Sequence, residues 1–313
     1  MNSPFWIFVL LGLSLSAVSQ TSHAQEYQRL CGRRKVKSLS LRSTQNGVDA
    51  EPGQWPWHAI VFRKDDIGGI NYKCGGTIID ESIVLTSAHC VFGNGVLKPT
   101  KLSIHVGRIH LTEEYTQKFD AKEIMLHPKF SGTKVDNDIA LIRLASNITM
   151  TRFVQPVCLW TLDDNPNLIV GKNGTIVGFS LTEQKIISEH LKQTSVGVVD
   201  ALTCASSDRE TLENLLTPKM ICAGGQEGGC RGNGGGGMFF EVEGRWFVRA
   251  IVSFTPRLTQ DGLCDPSVNT VFTDVAKYID WIRNYIDPGL LPIASERIEL
   301  GPYVDGAIIF PDD

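Results

Sequence analysis

Short apolar runs separated by turn residues dominate this chain of 313 residues. In the first half, six strand-like runs alternate with turn signals such as Gly68-Gly69 and fall at 58–62, 72–79, 83–87, 102–106, 124–127 and 139–144. Six more follow in the second half, at 175–179, 194–199, 220–223, 238–242, 246–253 and 271–272. Twelve short strands joined by polar turns predict an all-β protein built from barrels.

One helix is clearly indicated near the end of this pattern. Asp274 can cap a run in which apolar side chains recur at helical spacing, namely Val275, Tyr278, Ile279, Ile282 and Ile286. The sequence Asp287-Pro288-Gly289 then ends the helix. Residues 205–216 are a second, shorter helix candidate.

The N-terminal segment has a different composition. Its first 24 residues carry no Asp, Glu, Lys or Arg, include an apolar run at 5–13, and end in Ser22-His23-Ala24. This small-x-small ending is typical of signal-peptide cleavage. We therefore expect residues 1–24 to be a signal peptide and the mature chain to be secreted without a membrane span. An uncleaved anchor is the alternative, although the apolar run is short for one.

Eight cysteines follow residue 24, an even number that fits disulfide formation in an oxidising compartment. Their number alone does not select a pairing. They lack the paired close spacing of a zinc site, so we expect neither a metal ion nor a cofactor.

Charge is distributed unevenly along the chain, whose formal net charge is −4. Residues 287–313 hold six acidic side chains and one arginine. Nothing here indicates a nucleic-acid surface. The basic cluster Arg33-Arg34-Lys35-Val36-Lys37 is most simply a solvated leader, with a processing site or a polyanion contact as alternatives.

Five motifs in chain order resemble those of trypsin-like (S1) serine proteases: Gly-Gln-Trp-Pro-Trp at 53–57, Leu-Thr-Ser-Ala-His-Cys at 85–90, Asp-Asn-Asp-Ile-Ala-Leu at 136–141, Arg-Gly-Asn-Gly-Gly-Gly-Gly at 231–237 and Ile-Val-Ser-Phe at 251–254. The chain is most similar to non-catalytic homologues of arthropod type. The resemblance implies two six-stranded antiparallel β-barrels with a C-terminal helix and a cleft between the barrels.

The resemblance also divides the chain. A short basic leader tethered by Cys31 occupies 25–43, an inactive protease domain 44–286, and an acidic extension 287–313. The implied disulfides are Cys31–Cys158, Cys74–Cys90, Cys204–Cys222 and Cys230–Cys264.

The implied catalytic positions are incomplete. The family's base corresponds to His89, its orienting carboxylate to Asp138, and the serine that supports that carboxylate to Ser253. Gly234 stands where the attacking serine belongs, and the backbone N–H groups of Gly232 and Gly234 would form the oxyanion hole. Because glycine has no hydroxyl, no acyl intermediate can form, and we expect His89 and Asp138 to persist as a hydrogen-bonded pair.

Substrate binding and activation are altered in the same way. Asn233 replaces the aspartate that pairs with the new N-terminus after activation, and the junction reads Arg-Ser-Thr-Gln-Asn-Gly at 42–47. Thr255 and Thr270 stand where the family has glycines in the walls of the specificity pocket, and their side chains should narrow it. Gly228 stands where trypsin-like proteases have an aspartate at the base of that pocket. The implied specificity pocket comprises Gly228, Ser253, Phe254, Thr255 and Thr270.

Two N-glycosylation acceptors, Asn147 and Asn173, fall in predicted loops. If the chain is secreted, both are candidates for modification.

The sequence thus favours a secreted, catalytically inactive homologue that binds extracellular proteins, namely a protease, a zymogen or a protease substrate. Its setting would be an extracellular proteolytic cascade, with innate immunity inferred from the family alone. One alternative is a weakly active endopeptidase in which water activated by His89 replaces the serine. Another is a structural or anchoring protein that uses residues 287–313.

Overall fold

The structure, a computed structural model, describes residues 31–36, 47–113, 116–182, 184, 186–224, 233–256, 265 and 267–287. Its strands, in chain order, are β1 (Val48–Asp49), β2 (His58–Lys64), β3 (Ile70–Ile78), β4 (Ile83–Thr86), β5 (Phe92–Gly93), β6 (Gly95–Val96), β7 (Leu102–Val106), β8 (Gln117–Leu126), β9 (Ala140–Leu144), β10 (Cys158–Leu159), β11 (Asn173–Gly178), β12 (Lys192–Val199), β13 (Met220–Gly224), β14 (Gly237–Val242), β15 (Arg245–Phe254) and β16 (Thr270–Asp274). The α-helices are α1 (Ala201–Ser207), α2 (Arg209–Leu212) and α3 (Ile279–Ile282). Single 3₁₀ turns lie at Ala88–Cys90, Pro99–Lys101, Pro166–Leu168 and Val275–Tyr278.

The first barrel closes in the strand order β2-β3-β4-β9-β8-β7. Its strand β8 shows how the sequence directs side chains inward, because Phe119 and Ala121 are buried while the alternating residues Lys118 and Asp120 are exposed. This strand begins seven residues before the predicted run at 124–127. Its outer face carries charged residues, so the apolar pattern alone missed its first half.

The second barrel is formed by β12, β11, β14, β15, β16 and β13, and pairing between β13 and β12 closes it. Its buried core includes Ile176, Val196, Phe240, Val252 and Phe272. β1 extends the sheet beside β12, and β10 pairs in parallel with β15. The prediction of two six-stranded antiparallel barrels with a C-terminal helix is therefore confirmed.

The C-terminal helix starts differently from the prediction. Asp274 caps the segment as expected, because its Oδ1 accepts a hydrogen bond from the Ala276 N–H at 3.1 Å. The first turn, Val275–Tyr278, is however a 3₁₀ turn, and only α3 is α-helical. Such tighter turns are common at helix N-termini.

The helix predicted at 205–216 is two short helices, α1 and α2, of which the first begins before the predicted start. Asp200 starts α1 by accepting hydrogen bonds from the N–H groups of Leu202 and Thr203, both at 2.9 Å. An aspartate before a helix is a recognised start signal that the apolar spacing did not reveal.

Three of the implied disulfides are present: Cys31–Cys158, Cys74–Cys90 and Cys204–Cys222. Cys230 and Cys264 lie outside the described residues. The first disulfide fastens the leader to the body of the protein, where Gly32 hydrogen-bonds at 2.9 Å to both Pro156 and Trp246 through its backbone.

The leader corrects one expectation. Arg34 is not solvated, because its guanidinium lies between the rings of Trp55 and Trp246, 4.2 Å and 4.1 Å from their centroids. Burial lowers the pKa of Arg34 to about 10, against an opposing effect of Glu241. Arg33 and Lys35 are exposed as expected. The basic cluster therefore contributes one side chain to the packed interior of the fold.

Both glycosylation acceptors are exposed. Asn147 lies in the loop after β9, where its Nδ2 donates to Glu81 at 2.5 Å. Asn173 is not in a loop, because it is the first residue of β11 and pairs with Gly197 of β12. Their modification stays a prediction.

The described residues contain no helix with the length and apolar character needed to cross a membrane. The predicted signal peptide and the extension from residue 288 lie outside these residues.

Candidate active-site cleft

A buried carboxylate organises the cleft between the barrels. Asp138 accepts three hydrogen bonds: from the His89 backbone N–H at 2.8 Å, from His89 Nδ1 at 2.8 Å, and from Ser253 Oγ at 2.6 Å. Because a carboxylate accepts at this position, Nδ1 carries a ring proton, and Nε2 is the ring nitrogen left to act as a base. The geometry is therefore that of a general base held in one tautomer.

Both barrels hold Asp138 in place. Asn137 has a left-handed backbone (φ 54°), a conformation that Asn tolerates better than most residues, and its side chain accepts from the Tyr278 hydroxyl at 3.3 Å. Thr273 of β16 donates to the Asp138 carbonyl at 3.0 Å. The side chain of Asp138 is 3% exposed, whereas that of His89 is 39% exposed. The imidazole thus faces the cleft while its partner belongs to the core.

Gly234 faces the base. A Cβ atom placed on Gly234 would lie 3.1 Å from His89 Nε2, so any side chain at this position would start beside the lone-pair nitrogen. The sequence-predicted nucleophile position and base are therefore brought together. Gly234 itself has no side-chain hydroxyl that could give a proton to the imidazole.

Backbone hydrogen bonds fix the turn around Gly234. Its carbonyl accepts from the Gly75 N–H at 2.9 Å, and the Gly236 N–H donates to the Asn233 carbonyl at 2.8 Å. Gly235 has a φ of +76°, and its Cβ would meet Thr86 Oγ1 at 2.3 Å. Glycine is therefore required at 235 on both conformational and steric grounds. Gly232, the other predicted oxyanion donor, lies outside the described residues.

The two predicted wall residues of the specificity pocket touch each other. Thr255 follows β15, Thr270 begins β16, and their hydroxyl oxygens are 3.1 Å apart. Ser253 on the same strand is directed to Asp138, and Phe254 packs partly buried against a small cluster that includes Cys204 and Val271. Gly228, at the expected base of the pocket, lies outside the described residues.

Asn233 is buried. Its Oδ1 accepts a hydrogen bond from Ser180 Oγ at 3.0 Å. A Cβ on Gly178 would come within 2.3 Å of the same oxygen, so this glycine of β11 makes room for the amide. Sequence reasoning missed Ser180 and Gly178 because neither belongs to a motif, and no local signal marks them as partners of Asn233. Residues 42–46 of the altered junction lie outside the described part.

One cluster in the described residues has three potential metal ligands, Cys74, His89 and Cys90. The two sulfurs are joined in a disulfide. A disulfide offers no thiolate, the form of cysteine that binds metal ions. This cluster is therefore no metal centre.

Two barrels with a histidine–aspartate pair at their junction and a glycine turn facing the imidazole define the class of trypsin-like serine protease folds. The profile of the family described as Trypsin matches residues 44–282, and the chain belongs to this family.

Curated relatives agree with this assignment. The chain is similar to clotting factor C of Tachypleus tridentatus, with 33% identity over 276 residues that cover 82% of this chain and 26% of that protein. It is similar to CLIP domain-containing serine protease B9 of Anopheles gambiae, with 33% identity over 80% of this chain and 64% of the relative. Phenoloxidase-activating factor 3 of Holotrichia diomphalia is 29% identical over 77% of this chain and 71% of the relative. The chain thus spans about a quarter of the length of clotting factor C.

Proposed function

We propose that this chain is a secreted, catalytically inactive member of the trypsin family that acts by binding within an extracellular proteolytic cascade. The observation that carries the proposal is Gly234 facing His89 Nε2, with the position of its missing Cβ only 3.1 Å away. Acyl transfer needs a nucleophilic oxygen at that place, within hydrogen-bond reach of the base.

The nearest alternative hydroxyl at the pair does not serve this purpose. Ser253 Oγ donates to Asp138 Oδ2 at 2.6 Å, and that carboxylate binds the Nδ1 side of the ring. A nucleophile must instead give its proton to Nε2. Ser253 therefore supports the carboxylate and does not replace the missing serine.

Two further positions support the same proposal: the walls of the specificity pocket and the residue that would pair with a new N-terminus. The hydroxyls of Thr255 and Thr270, at the positions assigned to the pocket walls, are 3.1 Å apart, which favours a pocket narrowed between them. The amide of Asn233 is neutral and already bound to Ser180, so it offers no charge to hold a new N-terminal ammonium. Restoring a serine would leave both defects in place.

Binding is the function that remains, because the frame of the cleft persists without its nucleophile. Loops on a rigid scaffold keep a recognition surface after catalysis is lost. The names of the relatives, a clotting factor and a phenoloxidase-activating factor, favour a cascade of that kind. The inferred partner is a protease, a zymogen or a protease substrate.

A fluorophosphonate probe tests the lack of catalysis. We expect no labelling of the natural chain or of Gly234→Ser, whose pocket stays filled. The triple variant Gly234→Ser, Thr255→Gly, Thr270→Gly separates the effect of the missing hydroxyl from that of the threonine side chains. If the probe labels the triple variant but not Gly234→Ser, the threonines block the pocket. Turnover of a peptide library by the natural chain, abolished by His89→Ala, would contradict the proposal and favour water-based catalysis.

Two arginine substitutions test whether the cleft is the binding surface. Thr255→Arg places a charge at the pocket mouth, whereas Ile67→Arg places the same charge in the β2–β3 hairpin, where Ile67 is 94% exposed. We expect recovery of trypsin-domain proteins from native extracellular fluid to fall at least about tenfold for Thr255→Arg and to stay unchanged for Ile67→Arg. Equal recovery by both variants rules out the cleft, and loss only on deletion of residues 290–313 favours the anchoring role instead.

A further inference from the structure

Two histidines meet at the junction of the barrels, away from the His89–Asp138 pair. His110 lies between β7 and β8 of the first barrel, and His190 precedes β12 of the second. They form an isolated antiparallel bridge, and their ring centroids are 4.0 Å apart with an angle of 63° between the planes.

The backbone around the bridge places the two side chains as close as an antiparallel pair allows. The Leu111 N–H donates to the Glu189 carbonyl at 3.0 Å, and the Leu191 N–H donates to the Ile109 carbonyl at 2.7 Å. These bonds flank the histidines, which are therefore a non-hydrogen-bonded pair. In such pairs the Cα atoms are only about 4.5 Å apart and the side chains lie on one face.

Neither imidazole has a hydrogen-bond partner among the residues that the structure describes. His190 is exposed and His110 is half-buried, so the pair is open to solvent. No hydrogen bond to a described residue has to be broken to rotate the rings, and imidazole nitrogens from two side chains lie in one small volume.

We propose that His110 and His190 bind one divalent transition-metal ion of the Zn²⁺ class, which joins the two barrels at this point. Zinc binds imidazole nitrogen at about 2.0–2.1 Å. The ring centroids are 4.0 Å apart, so the two side chains would have to turn and separate slightly for one nitrogen of each ring to reach that distance from a shared ion. Water completes the coordination, because no third protein ligand joins the pair within the described residues. Hard cations such as Ca²⁺ are excluded by the nitrogen ligands.

A bound ion would also restrain residues that are linked to Asn233 by hydrogen bonds. Ser188 Oγ donates to the His190 carbonyl at 2.8 Å, and the Ser188 N–H donates to the Ser180 carbonyl at 2.9 Å. Ser180 in turn donates to Asn233. The ion therefore fastens the loop that contacts the glycine turn of the cleft, and binding does not depend on the lack of catalysis proposed above.

Calorimetric titration of Zn²⁺ into the full, untagged chain tests the site. We expect one ion per chain and a rise in melting temperature of about 3 °C at saturation, with no change on adding Ca²⁺. His110→Gln and His190→Gln should each weaken Zn²⁺ binding at least about tenfold and remove the thermal shift. The melting temperatures of both variants without Zn²⁺ should match that of the natural chain, because neither imidazole has a hydrogen bond to a described residue that the substitution would remove.

Two control variants test whether Zn²⁺ binds elsewhere, at the cleft or through a neighbouring carboxylate. His89→Gln removes the half-exposed imidazole of the cleft, and Glu189→Gln removes the carboxylate next to His190, so both should bind Zn²⁺ as the natural chain does. Unchanged binding by His190→Gln, loss of binding in His89→Gln, or an equal response to Ca²⁺ would each overturn the proposal.

Discussion

The two sides of the cleft differ in how far their side chains take part in the fold. On the base side, Asp138 is buried and receives hydrogen bonds from His89 and Ser253. On the nucleophile side, the one hydrogen bond of Gly234 within the described residues is that of its backbone carbonyl, which accepts from the Gly75 N–H. The base side keeps a hydrogen-bonded histidine–aspartate pair, whereas the nucleophile side presents a glycine, which has no side-chain group.

This difference shows which catalytic groups also stabilise the protein. Removing the carboxylate of Asp138 would leave buried donors without an acceptor, which lowers the free energy of unfolding. A serine hydroxyl at 234 would point at His89 Nε2 and support no described part of the core. Substitutions on the base side should therefore destabilise the protein, whereas substitutions at residue 234 should change its stability little.

The largest expected effect is that of Asp138→Ala. We expect it to lower the free energy of unfolding by about 3 kcal/mol, because the Ser253 hydroxyl and two His89 N–H groups lose their acceptor inside the protein. Urea denaturation with the disulfides intact measures it. Asp120→Ala is the matched control, since this exposed carboxylate pairs with Lys64 in a surface salt bridge and its loss should change stability by less than about 0.5 kcal/mol. Equal effects of the two variants would falsify the structural role of Asp138.

A smaller effect is expected for Ser253→Ala. It removes one hydrogen bond to a carboxylate that keeps its other two, so the loss should be about 1.5 kcal/mol. Ser206→Ala provides the control, because that hydroxyl donates to the Leu202 carbonyl on the exposed surface of α1. A Ser253→Ala protein as stable as the Ser206→Ala protein would show that the bond to Asp138 contributes nothing measurable.

The smallest effect is expected for Gly234→Ala. The added Cβ lies 3.1 Å from His89 Nε2, a tight contact that the half-exposed ring can relieve by a small movement, and alanine reduces the entropy of the unfolded chain. We expect a net change within about 0.5 kcal/mol in thermal or urea unfolding. Gly235→Ala, where φ is +76° and Thr86 is in the way, should instead cost more than about 2 kcal/mol. Similar losses in both variants would mean that residue 234 is constrained as strongly as its neighbour.

The sequence predicted the barrels because their strands have apolar runs that turn residues separate. It was less successful where a strand is polar on one face, as in the first half of β8, and where a helix starts at an unremarked cap, as at Asp200. It also treated Arg34 as a solvated residue. That error is understandable in physical terms, because the two tryptophans that enclose Arg34 are about 20 and 210 residues away along the chain.

Local sequence determined the chemistry that each position can perform. The absence of a hydroxyl at 234, the neutral amide at 233 and the two β-branched side chains at 255 and 270 are covalent facts, and no fold can supply the missing groups. Only the tertiary structure decided which groups meet. Ser180 reaches Asn233, Thr255 touches Thr270, and His110 lies against His190 because closure of two barrels brings distant strand ends together, an outcome that side-chain spacing along the chain does not encode.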